Sequence, residues 1–136
     1  MLQTETKIRV RYGETDQMGY VYYGNYPLYY EVARTDMIRK IGWTYSKMEK
    51  SGIMMPVVSL NVKYIRPAFY DDELTVKVTV KDFPTTKMHF EYEVFNEKGK
   101  LINTGNTTLV FVDMKTGKPT KAPNDFLEKF KLHFKK

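Results

Sequence analysis

Residues 13–34 read GETDQMGYVYYGNYPLYYEVAR. Asp16 stands three residues before Gly19. Tyr20, Tyr22, Tyr23, Tyr26, Tyr29 and Tyr30 then follow in a run broken by Gly24, Asn25 and Pro27. A carboxylate can serve as nucleophile or as general base. A helix start offers unpaired backbone N–H groups and a partial positive charge, which together steady a developing anion. The chain has no cysteine, which removes thiol nucleophiles, disulfides and thiolate metal sites at once. The two histidines, His89 and His133, fall in a strand and in the C-terminal tail, where they read as structural or solvated groups.

The elements that must position these residues are legible from periodicity. ETKIRVRY (5–12) alternates Ile8, Val10 and Tyr12 with Lys7, Arg9 and Arg11, the period of a half-buried strand. Tyr26, Tyr30, Ala33, Met37 and Ile41 then fall on one helical face. Pro27 is tolerated only in a first helical turn, Asn25 is the expected N-cap and Gly42 the expected terminator. A short second helix is expected to end at Gly52. After Pro56 the pattern turns to β: VVSLNVKYI, LTVKVTVKDF, KMHFEYEVF and LINTGNTTLVFVDM, with NEKGK as a hairpin turn. A terminal helix carries Phe126, Leu127, Phe130 and Phe134. An antiparallel sheet with one apolar face needs a cover, and the aromatic helix supplies it, so the fold class is α+β.

Composition narrows the partners. At 136 residues, 42% of them hydrophobic and 15% aromatic, the chain reads as one folded domain spanning 1–136. Its apolar runs are too short for a membrane span and its N-terminus lacks a secretory block, so a cytoplasmic location is expected. The net charge of +6 favours an anionic partner. Its basic residues are dispersed, which argues against nucleic acid; Lys129, Lys131, Lys135 and Lys136 read as a solvated helix end.

DQMGYVYYGNY (16–26) followed by EVAR (31–34) resembles the motif of the 4-hydroxybenzoyl-CoA thioesterase-like family. PVVSLNVKYIRPAFYDDELTV (56–76) and VDMKTGKPTKAP (112–123) continue the resemblance over nearly the whole chain. It implies a hot-dog fold, an antiparallel sheet wrapped around one long helix, in a homodimer or homotetramer whose sites lie between protomers. It implies an acyl-CoA thioesterase in which Asp16 is the catalytic carboxylate, as nucleophile or general base. The oxyanion donor it implies is the main-chain N–H of Tyr23. Several relatives carry histidine where Tyr23 stands; a main-chain role survives that change. No metal or separate cofactor is implied, CoA being part of the substrate. Tyr22 is a candidate for the acyl pocket and Lys87 for the CoA phosphates, with Lys63 and Arg66 as weaker basic candidates. Glu31 and Arg34, spaced i,i+3, have the geometry of an ordinary helix ion pair; they also match the family's E-x-A-R, which implies that they support the site and the interface rather than perform chemistry. An acyl carrier protein is a second partner considered. The main rival is a hot-dog protein that binds acyl-CoA or a carrier without turnover; a hydratase lacks its histidine motif here.

Overall fold

The computed structural model describes residues 1–135; Lys136, the last of the tail lysines, lies outside the described residues. The first strand, β1 (Leu2–Arg9), leads through two short 3-10 turns into α1 (Tyr26–Lys40), then α2 (Tyr45–Lys50). β2 (Ile53–Met54), β3 (Val57–Tyr64), β4 (Glu73–Val80), β5 (Lys87–Phe95), β6 (Leu101–Val110) and β7 (Val112–Asp113) follow, and α3 (Asn124–His133) closes the chain. Five strands form one antiparallel sheet in the order β1-β4-β5-β6-β3, while β2 and β7 make a two-stranded ribbon that periodicity did not reveal. Two residues per strand are too few to establish a period.

The sheet curves over α1. Tyr26, Tyr29, Tyr30, Ala33, Met37 and Ile38 are buried along one side of the helix. They meet Leu74, Val76, Val78, Phe90, Tyr92 and Val94, the inward residues of β4 and β5, in one core. Tyr30 stacks flat on Tyr92 with ring centroids 4.1 Å apart, and its hydroxyl donates to Asn103 Oδ1 at 2.5 Å. Gly105 makes room for that ring: a Cβ there would stand 2.5 Å from the Tyr30 hydroxyl and 2.7 Å from the Asn61 carbonyl. This long helix held in an antiparallel sheet is the hot-dog arrangement.

Three expectations need correction. Asn25 makes no side-chain cap for α1, whose start is instead continuous with a 3-10 turn; the amide donates to the Glu14 carbonyl. Glu31 and Arg34 form no ion pair among the described residues, because Arg34 turns inward, is 7% exposed and points Nη1 at the Tyr92 hydroxyl, 3.5 Å away. The alternating apolar residues of β3 are not covered: Val58, Leu60 and Tyr64 stay exposed. β3 is the edge strand next to β6, while α1 packs chiefly over β1 and β4 at the other side of the sheet.

Candidate active site

The loop after β1 is a small hairpin with Asp16 near its tip. Thr15 and Val21 bridge, the Asp16 N–H donates to the Tyr20 carbonyl at 3.0 Å, and the Gly19 N–H returns to the Asp16 carbonyl at 3.0 Å. Gly19 has φ +86°, a left-handed backbone that closes this turn and that a side chain would strain. The Met18 N–H donates to Asp16 Oδ1 at 2.9 Å, which fixes the orientation of the carboxylate.

The chain then enters the helix in two steps. The Tyr22 N–H donates to the Glu14 carbonyl at 2.9 Å, tying the hairpin base to the helix entrance. Residues Tyr23–Asn25 form a 3-10 turn whose first bond runs from the Asn25 N–H to the Tyr22 carbonyl at 2.9 Å. The N–H groups of Tyr23 and Gly24 therefore precede the first helical hydrogen bond. No acidic residue sits in the first turn of α1, so nothing within the helix offsets the positive end of its dipole, while Arg39 and Lys40 complement the other end.

Asp16 and Tyr23 line one cleft of about 290 Å³, walled by Met18, Tyr26, Tyr64 and Arg66 among others. Its lining is mostly aromatic and aliphatic side chains, which suits an apolar acyl group with few polar contacts. Burial pushes the Tyr26 hydroxyl up to about 12, and burial also raises Tyr64, so both are neutral donors. Tyr64 donates to the Tyr23 carbonyl at 2.9 Å and packs edge-on against the Tyr23 ring, 6.2 Å between centroids. That bond orients the peptide at the entrance of α1. Periodicity marks Tyr64 only as an apolar strand residue, and its reach to Tyr23 leaves no signal in sequence.

Of the other sequence candidates, Tyr22, Lys87 and Lys63 fall outside this cleft. Tyr22 is exposed and rests on Tyr23, with ring centroids 4.6 Å apart. Lys87 opens β5 as an exposed residue away from the cleft lining. Of the two weaker candidates, Lys63 is exposed on the edge strand, whereas Arg66 stands in the cleft wall with Nη1 donating to the Leu101 carbonyl at 3.0 Å. His89 binds Thr108 Oγ1 and His133 the Lys129 carbonyl, both at the surface. Tyr64 ends β3 and Ile65 follows it, so the cleft opens at the end of the uncovered edge strand.

The profile of the thioesterase-like superfamily matches residues 10–130. YneP of Bacillus subtilis, a candidate acyl-CoA thioesterase by name, is 38% identical over 90% of this chain and 89% of its own. The acyl-CoA thioester hydrolase YbgC of Escherichia coli O6:H1 is 30% identical over 91% of this chain and 92% of its own. The crystal structure of DHNA-CoA thioesterase from Staphylococcus aureus superposes with a TM-score of 0.91 at 41% identity, covering 97% of this chain and 91% of that one.

Proposed function

This chain belongs to the thioesterase-like superfamily, and from that premise we propose that it hydrolyses acyl-CoA at the cleft shared by Asp16 and Tyr23. Thioester hydrolysis is the activity named for its relatives. The observation that carries the residue assignment is the joint placement of Asp16 and the Tyr23 turn on one aromatic cleft at the mouth of α1.

The acyl group enters between Tyr26 and Tyr64 with its carbonyl oxygen toward the Tyr23 N–H. As the carbonyl carbon becomes tetrahedral, negative charge gathers on that oxygen, and a preset amide with a helix dipole behind it stabilises the charge. Asp16 acts from the other side. Either its carboxylate attacks the carbonyl carbon, forming a mixed anhydride and expelling CoA thiolate before water cleaves the anhydride, or it takes a proton from the attacking water. Both routes end in a carboxylic acid and CoA, and the thiolate recovers a proton.

The full site requires a second copy of the chain. The exposed apolar residues of β3 and its unpaired edge support a homodimer formed through this strand, with two such dimers giving a tetramer. Within the dimer, Lys87 is assigned to the CoA phosphates and Tyr22 to the acyl pocket. The deciding experiment is thiol release over a panel running from acetyl-CoA to aryl-CoA esters, comparing wild type with Asp16→Ala. Release by the wild type and its loss in the variant support the reading. Acyl-CoA binding without release on any ester would make the protein a carrier of thioesters rather than a hydrolase.

A further inference from the structure

Glu14 joins the two halves of the cleft without lining it. Its carbonyl accepts the Tyr22 N–H at 2.9 Å and Asn25 Nδ2 at 2.8 Å, so one peptide oxygen holds both flanks of the Tyr23–Gly24 segment. Its carboxylate accepts from the Tyr29 hydroxyl at 3.0 Å, from the Arg11 N–H at 2.8 Å and from the Arg11 guanidinium at 3.0 Å. The side chain is only 15% exposed, against 81% for Arg11. Glu14 thus touches the strand exit, the helix entrance and the first turn of α1, and it lies two residues before Asp16. Burial alone would raise its carboxyl. Hydrogen bonds from the Arg11 backbone, the Arg11 side chain and Tyr29 outweigh burial and hold it below the usual range. The group is therefore an anion near neutral pH. Tyr29 is fixed as the donor, since burial first and the Glu14 charge second raise its hydroxyl.

We propose that Glu14 is a positioning residue, clamped to α1 through Tyr29, which sets the separation between the Asp16 carboxylate and the Tyr23 N–H. The inference rests on the hydrolase reading for its kinetic consequence. Its physical basis is independent: among the described residues, no other side chain of the segment 14–21 hydrogen-bonds into α1. The backbone bond from Tyr22 and the side-chain bond from Asn25 both end on the Glu14 carbonyl, so any drift of Glu14 moves the Asp16 loop and the Tyr23 turn relative to each other. Because a displacement of about 1 Å in a reacting group costs on the order of 100-fold in rate, loosening this joint is felt in turnover more than in binding.

The test combines Glu14→Ala, Glu14→Gln, Tyr29→Phe and the double variant Glu14→Ala/Tyr29→Phe. Expected are losses of about 10- to 100-fold in kcat for Glu14→Ala, with KM within about twofold of wild type. Tyr29→Phe is expected to fall in the same direction, and the double variant to be no worse than Glu14→Ala, since both changes cut one clamp. Glu14→Gln, which keeps an oxygen for Tyr29, is expected to recover most of the rate. Unchanged kcat in Glu14→Ala, or losses that multiply in the double variant, would overturn the proposal.

Amide hydrogen exchange by the same proteins separates this idea from the hydrolase reading. Faster exchange confined to residues 14–25 in Glu14→Ala and Tyr29→Phe is expected whatever the substrate proves to be. Exchange at wild-type rates there sinks the clamp, even if Asp16 is essential for thiol release. A wild-type protein that releases no thiol while these variants loosen the same segment would sink the hydrolase and leave the clamp standing.

Discussion

Replacing Asp16 by asparagine keeps the size of the side chain and an oxygen for the Met18 N–H, but it removes the charge that the proposed hydrolysis requires. Thiol release is expected to fall by about 10²–10⁴-fold, with the melting temperature little changed, because Asp16 is half-buried at the surface and binds nothing beyond its own turn. Gly19→Ala acts differently. Open space surrounds the added methyl, so the cost comes from backbone strain at φ +86°. A loss of about 1 kcal/mol in denaturant unfolding is expected, together with reduced turnover as the Asp16 hairpin relaxes. At this scale the sequence makes Asp16 and Gly19 conspicuous, because their chemistry is local: one is a charge in a turn, the other a backbone only glycine adopts easily. Tyr64 and Glu14 are not conspicuous, and Arg66 is visible only as one basic candidate among several. Each works through a contact with a residue far along the chain or on another element, and residue type alone does not reveal such contacts.

An element is legible in the sequence where it buries one full face. The stripe Tyr26, Tyr30, Ala33, Met37 and Ile41 is buried throughout, and the alternation in β4 and β5 matches their inward residues. Asn25 departs from the capping expectation because capping rules consider only the helix it precedes, whereas its amide donates to a carbonyl eleven residues earlier. Glycine in mid-strand has a comparable lesson. Gly105 looks like a weak spot in β6, yet it is the space into which Tyr30 fits. Gly105→Ala should force Tyr30 off its stack with Tyr92 or spread β6 from β3. A destabilisation of about 1–3 kcal/mol, measured by urea unfolding, is the expected result. A neutral effect would mean that the helix and the sheet are not packed as tightly as this contact requires.

For the whole molecule, the concentration of tyrosines in the interior makes stability sensitive to alkali. Burial is the leading cause that raises Tyr26 to about 12, and it also raises Tyr29 and Tyr30 above the ordinary tyrosine value of about 10. In the unfolded chain these hydroxyls lose their protons near the ordinary value, so the unfolded state binds fewer protons than the native state above it. The native state keeps its full advantage below about pH 10 and loses it progressively from there through the raised values of the fold. Thermal melts from pH 8 to 12 are expected to be flat and then fall steeply past pH 10; an unchanged melting temperature at pH 11 would contradict the burial of these rings. A second expectation concerns assembly. Leu60→Glu places a charge on the uncovered strand and should yield monomers by light scattering, with the fold retained by circular dichroism. Among the described residues no helix is long and apolar enough to cross a membrane.

An edge strand left bare in one chain has a kinetic signature. If catalysis depends on two copies meeting along β3, turnover per molecule is a property of the population: constant in concentrated solution, declining on dilution once the pairs part, and regained when inert crowding or added protein drives them together. A plot of specific activity against enzyme concentration would then trace the association curve itself.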